Sequence, residues 1–324
     1  MHQLSRRAAL RLALSSTLFP HAFAHAQAWP DRPIRLIVPF PAGSVTDVVA
    51  RAIGKVLGEN VGQPVVVENR VGASGIIGTE LVAKAAPNGL TLLLGSISTH
   101  ALNPWFYSRL PYDAEKSFVP ISEVALTPNV VVISAASPVH TMRDFIAATK
   151  AGTVHYATAG VGSGPHLCGE LMKSLGAIQM SAVPYKGAPE CFTAVVSGEV
   201  QMTIQSITSA LPLIRGGRLR AIGVTSRQRS PVLPEVPALS EAGFPGYEFS
   251  SWSGVFAPAG TPADVVAKLH AEIVKAARSE EVQRSITTQG GVVVANSPEQ
   301  FAAVVKAELA KWGKVIRDAN IKVE

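Results

Sequence analysis

The chain has 324 residues, of which 47% are hydrophobic, and it carries 29 Lys and Arg against 23 Asp and Glu, a formal net charge of +6. This apolar fraction excludes an intrinsically disordered chain, and two cysteines are too few to hold a disulfide scaffold of this length together. At about 150 residues per domain, the length predicts two domains or one large α/β unit.

Half of the net charge of +6 comes from the N-terminus, in a segment with the pattern of an export signal. Residues 1–28 include three arginines and no acidic residue, and residues 12–24 form an apolar run too short to span a bilayer. We therefore predict a signal peptide over residues 1–26, cleaved after Ala26, and an exported, periplasmic chain; the alternative is an amphipathic first helix. Removing the three arginines leaves 26 basic against 23 acidic residues, a net charge of +3, so no nucleic-acid partner is expected.

The export route stays open on the sequence. Arg6 and Arg7 fit a twin-arginine signal and also an ordinary Sec signal. No cysteine lies near the cleavage site, so we do not expect a lipid anchor.

From residue 34 onward the chain alternates strand and helix, the order that builds a parallel sheet covered by helices. Strands are predicted at 34–38, 64–68, 90–94, 130–133, 154–158, 180–183, 200–205 and 219–225. Helices are predicted at 45–57, from the glycine run 72–78 to about residue 86, and at 141–150, 165–175 and 188–197. Two β/α lobes of similar build follow from this order.

The remaining C-terminal segments are predicted to be a loop and then helices. The Pro-rich run 230–245 favours a crossing or surface loop. Thr261 and Ser297 each precede a proline and have the pattern of helix N-caps. The apolar stripe from Phe301 to Ile316 is expected to face the core.

Two motifs that suggest catalysis or dinucleotide binding do not fit. A nucleophile elbow needs Gly-x-Ser-x-Gly, but Val161 stands two places before Ser163, which is therefore interpreted as a loop donor. Gly72, Gly75 and Gly78 have the spacing Gly-x-x-Gly-x-x-Gly rather than the dinucleotide-binding Gly-x-Gly-x-x-Gly, which favours close helix–sheet packing.

Metal and redox chemistry find little support in the sequence. The histidines of the exported chain include no pair at ligand spacing on one helix, so we expect no metal and no cofactor. His166 begins the helix behind a glycine loop, where contact with a ligand and capping of its own loop both stay open. Cys168 and Cys191 lie on two predicted helices; a disulfide stays open, and free buried thiols are favoured.

What remains is a set of polar loops beyond the carboxyl ends of predicted strands, where open α/β sheets bind ligands. Two of these loops lead into helix N-termini, which attract anions. They hold almost no Lys or Arg, so a carboxylate would be bound by amides, hydroxyls and water. The candidate residues are Phe40, Gly43, Ser44, Thr46 and Asp47 after the first strand, Ser96, Ser98 and Thr99 after the third, and Thr158, Gly160, Gly162, Ser163 and His166 in the second lobe.

A series of motifs in order along the exported chain resembles the Bug receptors, the extracytoplasmic substrate-binding proteins of tripartite tricarboxylate transporters. The motifs are Trp29-Pro30-Asp31-Arg32-Pro33-Ile34-Arg35, Val67-Glu68-Asn69-Arg70, Pro87-Asn88-Gly89-Leu90-Thr91-Leu92, Leu110-Pro111-Tyr112-Asp113, Val183-Pro184-Tyr185-Lys186-Gly187 and Pro258-Ala259-Gly260-Thr261-Pro262.

The resemblance implies an α/β, type II periplasmic-binding-protein fold, with two β/α lobes around a central cleft and C-terminal helices. Lobe 1 is predicted at 27–127 plus 249–324 and lobe 2 at 128–248, with the second crossover between 225 and 250. The first loop would bind a ligand carboxylate partly through ordered waters, and the second-lobe loop would complete the site. Tyr185 and Lys186 are candidate rim residues.

Three departures from the family pattern bear on the ligand rather than the fold. Ser44 replaces the second glycine of a pair, Asn88 replaces an aspartate before the third strand, and Met202 occupies a usually acidic position.

The leading hypothesis is a monomeric receptor, not an enzyme, that captures a small organic acid by hinge closure and delivers it to the permease subunits of such a transporter. The alternatives are a periplasmic ligand sensor for a signalling partner and an exported α/β hydrolase.

Overall fold

A computed structural model describes residues 29–152, 154–176 and 178–323, and the predicted signal peptide and its cleavage site lie outside these ranges. The helices are α1 (Val45–Val61), α2 (Ile76–Ala83), α3 (Asn103–Phe106), α4 (Met142–Ala151), α5 (Gly164–Gly176), α6 (Ala188–Ser197), α7 (Ile207–Arg215), α8 (Ala263–Ala277), α9 (Glu280–Thr288) and α10 (Pro298–Asp318). The strands are β1 (Ile34–Val38), β2 (Val65–Asn69), β3 (Thr91–Ser96), β4 (Phe118–Ser134), β5 (Val154–Thr158), β6 (Met180–Pro184), β7 (Met202–Ser206), β8 (Leu219–Val224), β9 (Ser250–Pro258) and β10 (Val292–Val293).

The sheet contains two groups of parallel strands. In the first group β1 lies between β2 and β3, and in the second β5 lies between β6 and β7. The side chains of Ile34, Leu36, Ile37 and Val38 are almost completely buried, as expected for a parallel strand covered on both faces. The α/β fold class predicted from the strand–helix alternation is confirmed.

The long strand β4 joins the two groups. Its first part, Phe118 to Pro128, runs antiparallel to β9, which in turn pairs with β3. Its last part, Asn129 to Ser134, runs antiparallel to β7 and β8. The chain therefore passes from one strand group to the other within a single strand.

Several elements were missing from the sequence prediction. The first part of β4 carries two prolines, and β9 is rich in serine and glycine, so both have weak local strand preference that tertiary pairing overrides. The sequence prediction also has no helix at α7, which contains Pro212, or at α9, a short and mostly polar helix that buries Val282 and Ile286.

Of the two predicted helix caps, one is confirmed and one is wrong. Ser297 forms a capping box with Gln300 at the start of α10, as predicted. The prediction for Thr261 is wrong, because its hydroxyl donates to the Pro258 carbonyl at 2.7 Å and Pro262 occupies the N-cap position.

The run 230–245 contains no helix or strand, and it buries Val236, Leu239 and Phe244 against the rest of the molecule. Within the described ranges no helix is both long enough and apolar enough to cross a membrane.

Candidate functional site

The loop between β1 and α1 is held in place by Asp47. The carboxylate of Asp47 is 2% exposed and accepts hydrogen bonds from the Gly43 amide at 2.9 Å, Arg51 Nε at 3.0 Å and Asn69 Nδ2 at 2.8 Å. Burial alone would raise its pKa, but these hydrogen bonds outweigh it and hold the pKa below its usual range. The Asp47 carboxylate is therefore bound by three protein donors and holds the loop to α1 and β2.

Ser44 and Asp47 are three residues apart, the spacing of a capping box, but the structure forms only half of one. Ser44 is the N-cap, and its hydroxyl accepts from the Asp47 amide at 3.3 Å. The Asp47 carboxylate reaches back to the Gly43 amide, so it fixes the turn at Gly43, whose φ is +81°.

Three loops of the first strand group converge at Gly75. A Cβ at this position would lie 3.0 Å from Thr99 Cγ2 and 3.5 Å from Phe40 Cζ, and its φ is +89°. A Cβ at Gly78 would lie 2.7 Å from the Arg70 carbonyl. The glycine run thus brings the loops after β1, β2 and β3 close together, in agreement with the packing interpretation.

The three candidates at the end of β3 and just after it differ in burial. Thr99 is completely buried, and its hydroxyl lies 2.8 Å from His100 Nδ1 and 3.0 Å from the Ser96 carbonyl. Ser96 is buried, and its hydroxyl has no hydrogen-bond partner among the described residues. Ser98 is half-buried and lines a cavity described below.

The loop between β5 and α5 is closed by its own side chains. Ser163 Oγ donates to the Gly160 carbonyl at 2.7 Å, and His166 Nδ1 accepts from the Gly162 amide at 3.0 Å. Of the two roles left open for His166, the structure thus shows the loop cap. Burial lowers the pKa of His166, so the ring is neutral. Ser163 donates to a backbone carbonyl rather than to a base, which is unlike an activated nucleophile.

Two further predicted groups lie away from these contacts. Thr158 is 1% exposed at the end of β5. The Tyr185 hydroxyl contacts Glu199 at 2.9 Å, and the Lys186 amide donates to the Glu190 carboxylate at 3.1 Å, so both backbone and side chain of this rim segment are used locally.

A cavity of about 230 Å³ lies where the loops of the two strand groups meet. Of the predicted residues it brings together Ser98, Gly162 and Ser163, whereas the loop from Phe40 to Asp47 does not line it. The other lining residues were not predicted: Ser74, Leu102, Asn103, Phe106, Tyr107, Val161 and Val323. Among the described residues, no side chain of this lining carries a charge.

The polar residues of this lining are linked to one another. Ser74 Oγ lies 2.8 Å from the Tyr107 hydroxyl, and Asn103 Nδ2 donates to the Ser74 carbonyl at 3.1 Å. Ser74 belongs to the glycine run singled out in the sequence, which could have drawn attention to it. Asn103, Tyr107 and Val323 carry no local signal, because only tertiary contacts bring them to the cavity.

The cysteines and acidic groups suggest no other chemistry. Cys168 and Cys191 are both free and buried, as favoured from the sequence. Burial raises the pKa of Cys168 to about 12 and also raises that of Cys191, so both thiols are protonated. Among the described residues no group of His, Cys, Asp and Glu side chains could hold a metal ion.

Two β/α strand groups joined by β4 and β9, with a neutral polar cavity between their loops, define a solute-binding protein of the periplasmic type. Residues 49–321 match the family described as the tripartite tricarboxylate transporter family receptor, and the chain belongs to this family.

Relatives and solved structures agree with this assignment. The chain is 36% identical to Protein BugT of Bordetella pertussis, over 92% of this chain and 93% of that protein. It is also similar to the structure of periplasmic binding protein BugD, with 31% identity and a TM-score of 0.71 over 91% of this chain and 99% of that one.

Two similar structures from Rhodopseudomonas palustris contain carboxylates. One, solved with adipate, is 35% identical with a TM-score of 0.75 and covers 91% of this chain and 99% of its own. The other, MatC with bound malate, is 32% identical with a TM-score of 0.71 and covers 89% of this chain and all of its own.

The resemblance to Bug receptors and the predicted fold are therefore confirmed. The family and these neighbours are substrate-binding proteins, which confirms the prediction of a receptor rather than an enzyme.

Proposed function

We propose that this protein is a periplasmic receptor that captures a small organic carboxylate by hinge closure and delivers it to the permease subunits of a tripartite tricarboxylate-type transporter. The observation that carries the proposal is the uncharged cavity of about 230 Å³ lined by loops of both strand groups. The adipate and malate held by the similar proteins support a carboxylate as the ligand class.

The chemistry of the loops suits an anion without an arginine clamp. Helices α1 and α5 begin directly behind the loops that end at Ser44 and Ser163, and a helix N-terminus carries a partial positive charge that attracts an anion. The proposed ligand contacts are Ser98, Gly162 and Ser163, which line the cavity, and the loop from Phe40 to Thr46, which would reach the ligand on closure. The buried Asp47 would act through the Gly43 turn, and the buried Ser96, Thr99 and Thr158 would support these loops.

Closure is proposed to occur where the chain passes between the strand groups. With lobe 1 at residues 27–127 plus 249–324 and lobe 2 at 128–248, as predicted from the sequence, the two crossovers would fall within β4 and just before β9. The change of partner within β4, from β9 to β7, supports the first of them. A ligand that contacts loops of both lobes binds the closed state more tightly, and it shifts the population by that difference in affinity. Export by the segment 1–26 is part of the same proposal.

A thermal-shift screen of the exported chain against mono-, di- and tricarboxylates, amino acids and aromatic acids tests the proposal. At a ligand concentration of about 100 Kd, a bound acid should add about 2.7 kcal/mol to the free energy of unfolding. If no acid in the screen shifts the transition, the carboxylate-receptor proposal fails.

Asp47→Ala gives a sharper test with the acid that binds. Loss of its contact to the Gly43 amide should weaken the acid's affinity about tenfold, measured by calorimetry, because the turn is no longer fixed. Asp144→Ala is the matched control, since Asp144 caps α4 from the same position in a capping box with Thr141. Equal affinities for Asp47→Ala, Asp144→Ala and the unmodified protein would show that the contact from Asp47 to the Gly43 amide does not affect binding.

A further inference from the structure

The C-terminal segment reaches the cavity between the loops. After α10 ends at Asp318, Asn320 adopts a left-handed conformation with φ of +48°, and the Ile321 amide donates to the Ile316 carbonyl at 3.0 Å. Ile321 is buried in the core, which anchors the segment. Val323, two residues on, lines the cavity, whereas Lys322 does not.

Val323 forms an apolar wall with residues of both strand groups. A Cβ at Gly162 would lie 2.6 Å from Val323 Cγ2 and 3.3 Å from Phe106 Cζ, so these three residues are in contact. Val161 and Val323 both line the cavity although they are 57% and 41% exposed. Exposed apolar side chains that line a cavity are typical of a site that a ligand covers.

Three of the five polar side chains of this lining form a cluster contributed by the first strand group. Ser74, Asn103 and Tyr107 are joined by hydrogen bonds. Beside Val323, the Gly162 amide donates to His166 and the Ser163 hydroxyl donates to the Gly160 carbonyl, so both donors are used within their own loop. Among the described residues the lining contains no Lys, Arg or His that could neutralise an anion. One carboxylate can be held by amides and hydroxyls. A second carboxylate beside Val323 and Phe106 would lose its hydration without gaining a partner, which is costly.

We infer that Val323, together with Phe106, determines specificity by selecting small carboxylates whose far end is apolar over dicarboxylates of the same length. This inference rests on the proposed receptor function and names its substrate class as monocarboxylates with an aliphatic or alicyclic body. A volume of about 230 Å³ is below the roughly 300–1,000 Å³ of drug-sized sites, which also favours a small acid.

Matched acid pairs test this selection on the exported chain by calorimetry. The pairs are hexanoate with adipate, and cyclohexanecarboxylate with cyclohexane-1,4-dicarboxylate, so each pair differs only in the second carboxylate. We expect the monoacid to bind at least about tenfold more tightly, which corresponds to one unpaired charge at the wall. Val323→Lys should reduce or reverse this ratio by about tenfold, because it places a cation beside the second carboxylate. Val66→Lys is the control, as Val66 is 47% exposed on the edge strand β2 and does not line the cavity.

The outcomes separate this inference from the receptor function. Equal or tighter binding of the diacids by the unmodified protein overturns the inference while the receptor function stands. An unchanged ratio in Val323→Lys, or binding only of acids outside both pairs, also overturns it. If no carboxylate of any class binds, the receptor function itself fails.

Discussion

Glu123 is the buried acid with the most unusual environment. It is 3% exposed on β4, where its carboxylate accepts a hydrogen bond from Asn296 Nδ2 at 3.0 Å and its amide donates to Asn296 Oδ1 at 2.9 Å. Burial is the main cause that raises its pKa to about 7, and the nearby carboxylates of Glu248 and Glu308 raise it further. Glu123 is therefore protonated in the folded protein at mildly acid pH.

This pKa makes stability fall as pH rises. The unfolded chain loses the proton near pH 4.5, and the folded protein retains it until about pH 7, so the folded state binds more protons between these values. The free energy of unfolding should decrease across this window and stay lower above it. Glu123→Gln cannot titrate, and between pH 5 and 8 it should lose about 2 kcal/mol less stability than the unmodified protein.

Urea unfolding at a series of pH values measures this difference. Glu115→Gln, at an exposed position, is the control and should reproduce the profile of the unmodified protein. Parallel pH profiles for Glu123→Gln and the unmodified protein would contradict the expected protonation of Glu123.

Among the structural elements, α10 holds most of the C-terminal chain against the strand groups. Phe301 packs so close to β9 that a Cβ at Gly254 would lie 2.1 Å from its Cζ. The rings of the buried Trp312 and Phe249 pack edge to face, with their centroids 5.4 Å apart. Trp105 of α3 donates its indole N–H to the Leu309 carbonyl at 2.8 Å. The helix therefore fixes the position from which Ile321 to Val323 reach the cavity.

The capping box of α10 should contribute measurably to stability. Ser297→Ala removes the hydroxyl that accepts from the Gln300 amide at 3.2 Å, and we expect a loss of about 1 kcal/mol in the free energy of unfolding. Ser297→Asn keeps a cap acceptor, and its free energy of unfolding should fall by at most about 0.3 kcal/mol. Chemical denaturation of the three proteins measures both effects, and equal stabilities would show that packing alone fixes the helix start.

At the scale of the whole molecule, the two free thiols are buried where separate parts of the chain pack together. Cys168 on α5 lies against Asn129 of β4, with Asn129 Nδ2 at 3.7 Å from its sulfur, and its carbonyl accepts from the Tyr247 hydroxyl at 3.0 Å. Cys191 is buried within the second strand group. Neither thiol can be reached without disrupting contacts between several elements.

Thiol labelling should therefore follow global unfolding. Both cysteines are expected to resist Ellman's reagent in the folded protein and to react in urea at the midpoint seen by circular dichroism. Dithiothreitol should leave the melting temperature unchanged, since both cysteines are free. Rapid labelling of one thiol under native conditions would show local opening, and Cys168→Ala and Cys191→Ala would identify which thiol reacts.

Local patterns were sufficient for the parts of the fold that depend on neighbours in sequence. The buried strands β1 and β5, the helix α6 and the cap at Ser297 follow from hydrophobic periodicity, turn residues and side-chain capping, which act over a few residues. The loops after β1, β3 and β5 were also identified, because glycine and hydroxyl residues directly follow apolar strands.

The rest was decided by contacts between distant segments. Strands β4 and β9 form although prolines, serines and glycines disfavour them, because pairing with β3, β7 and β8 satisfies their backbone groups. Contacts between distant segments also place the site residues. Thr99 is buried, whereas Ser98 lines the cavity together with Val323, which lies more than 200 residues away in sequence. The sequence by itself determined the family, the fold class and the polar character of the loops. Which side chains line the cavity was decided only by the tertiary structure, since burial depends on what packs against each residue.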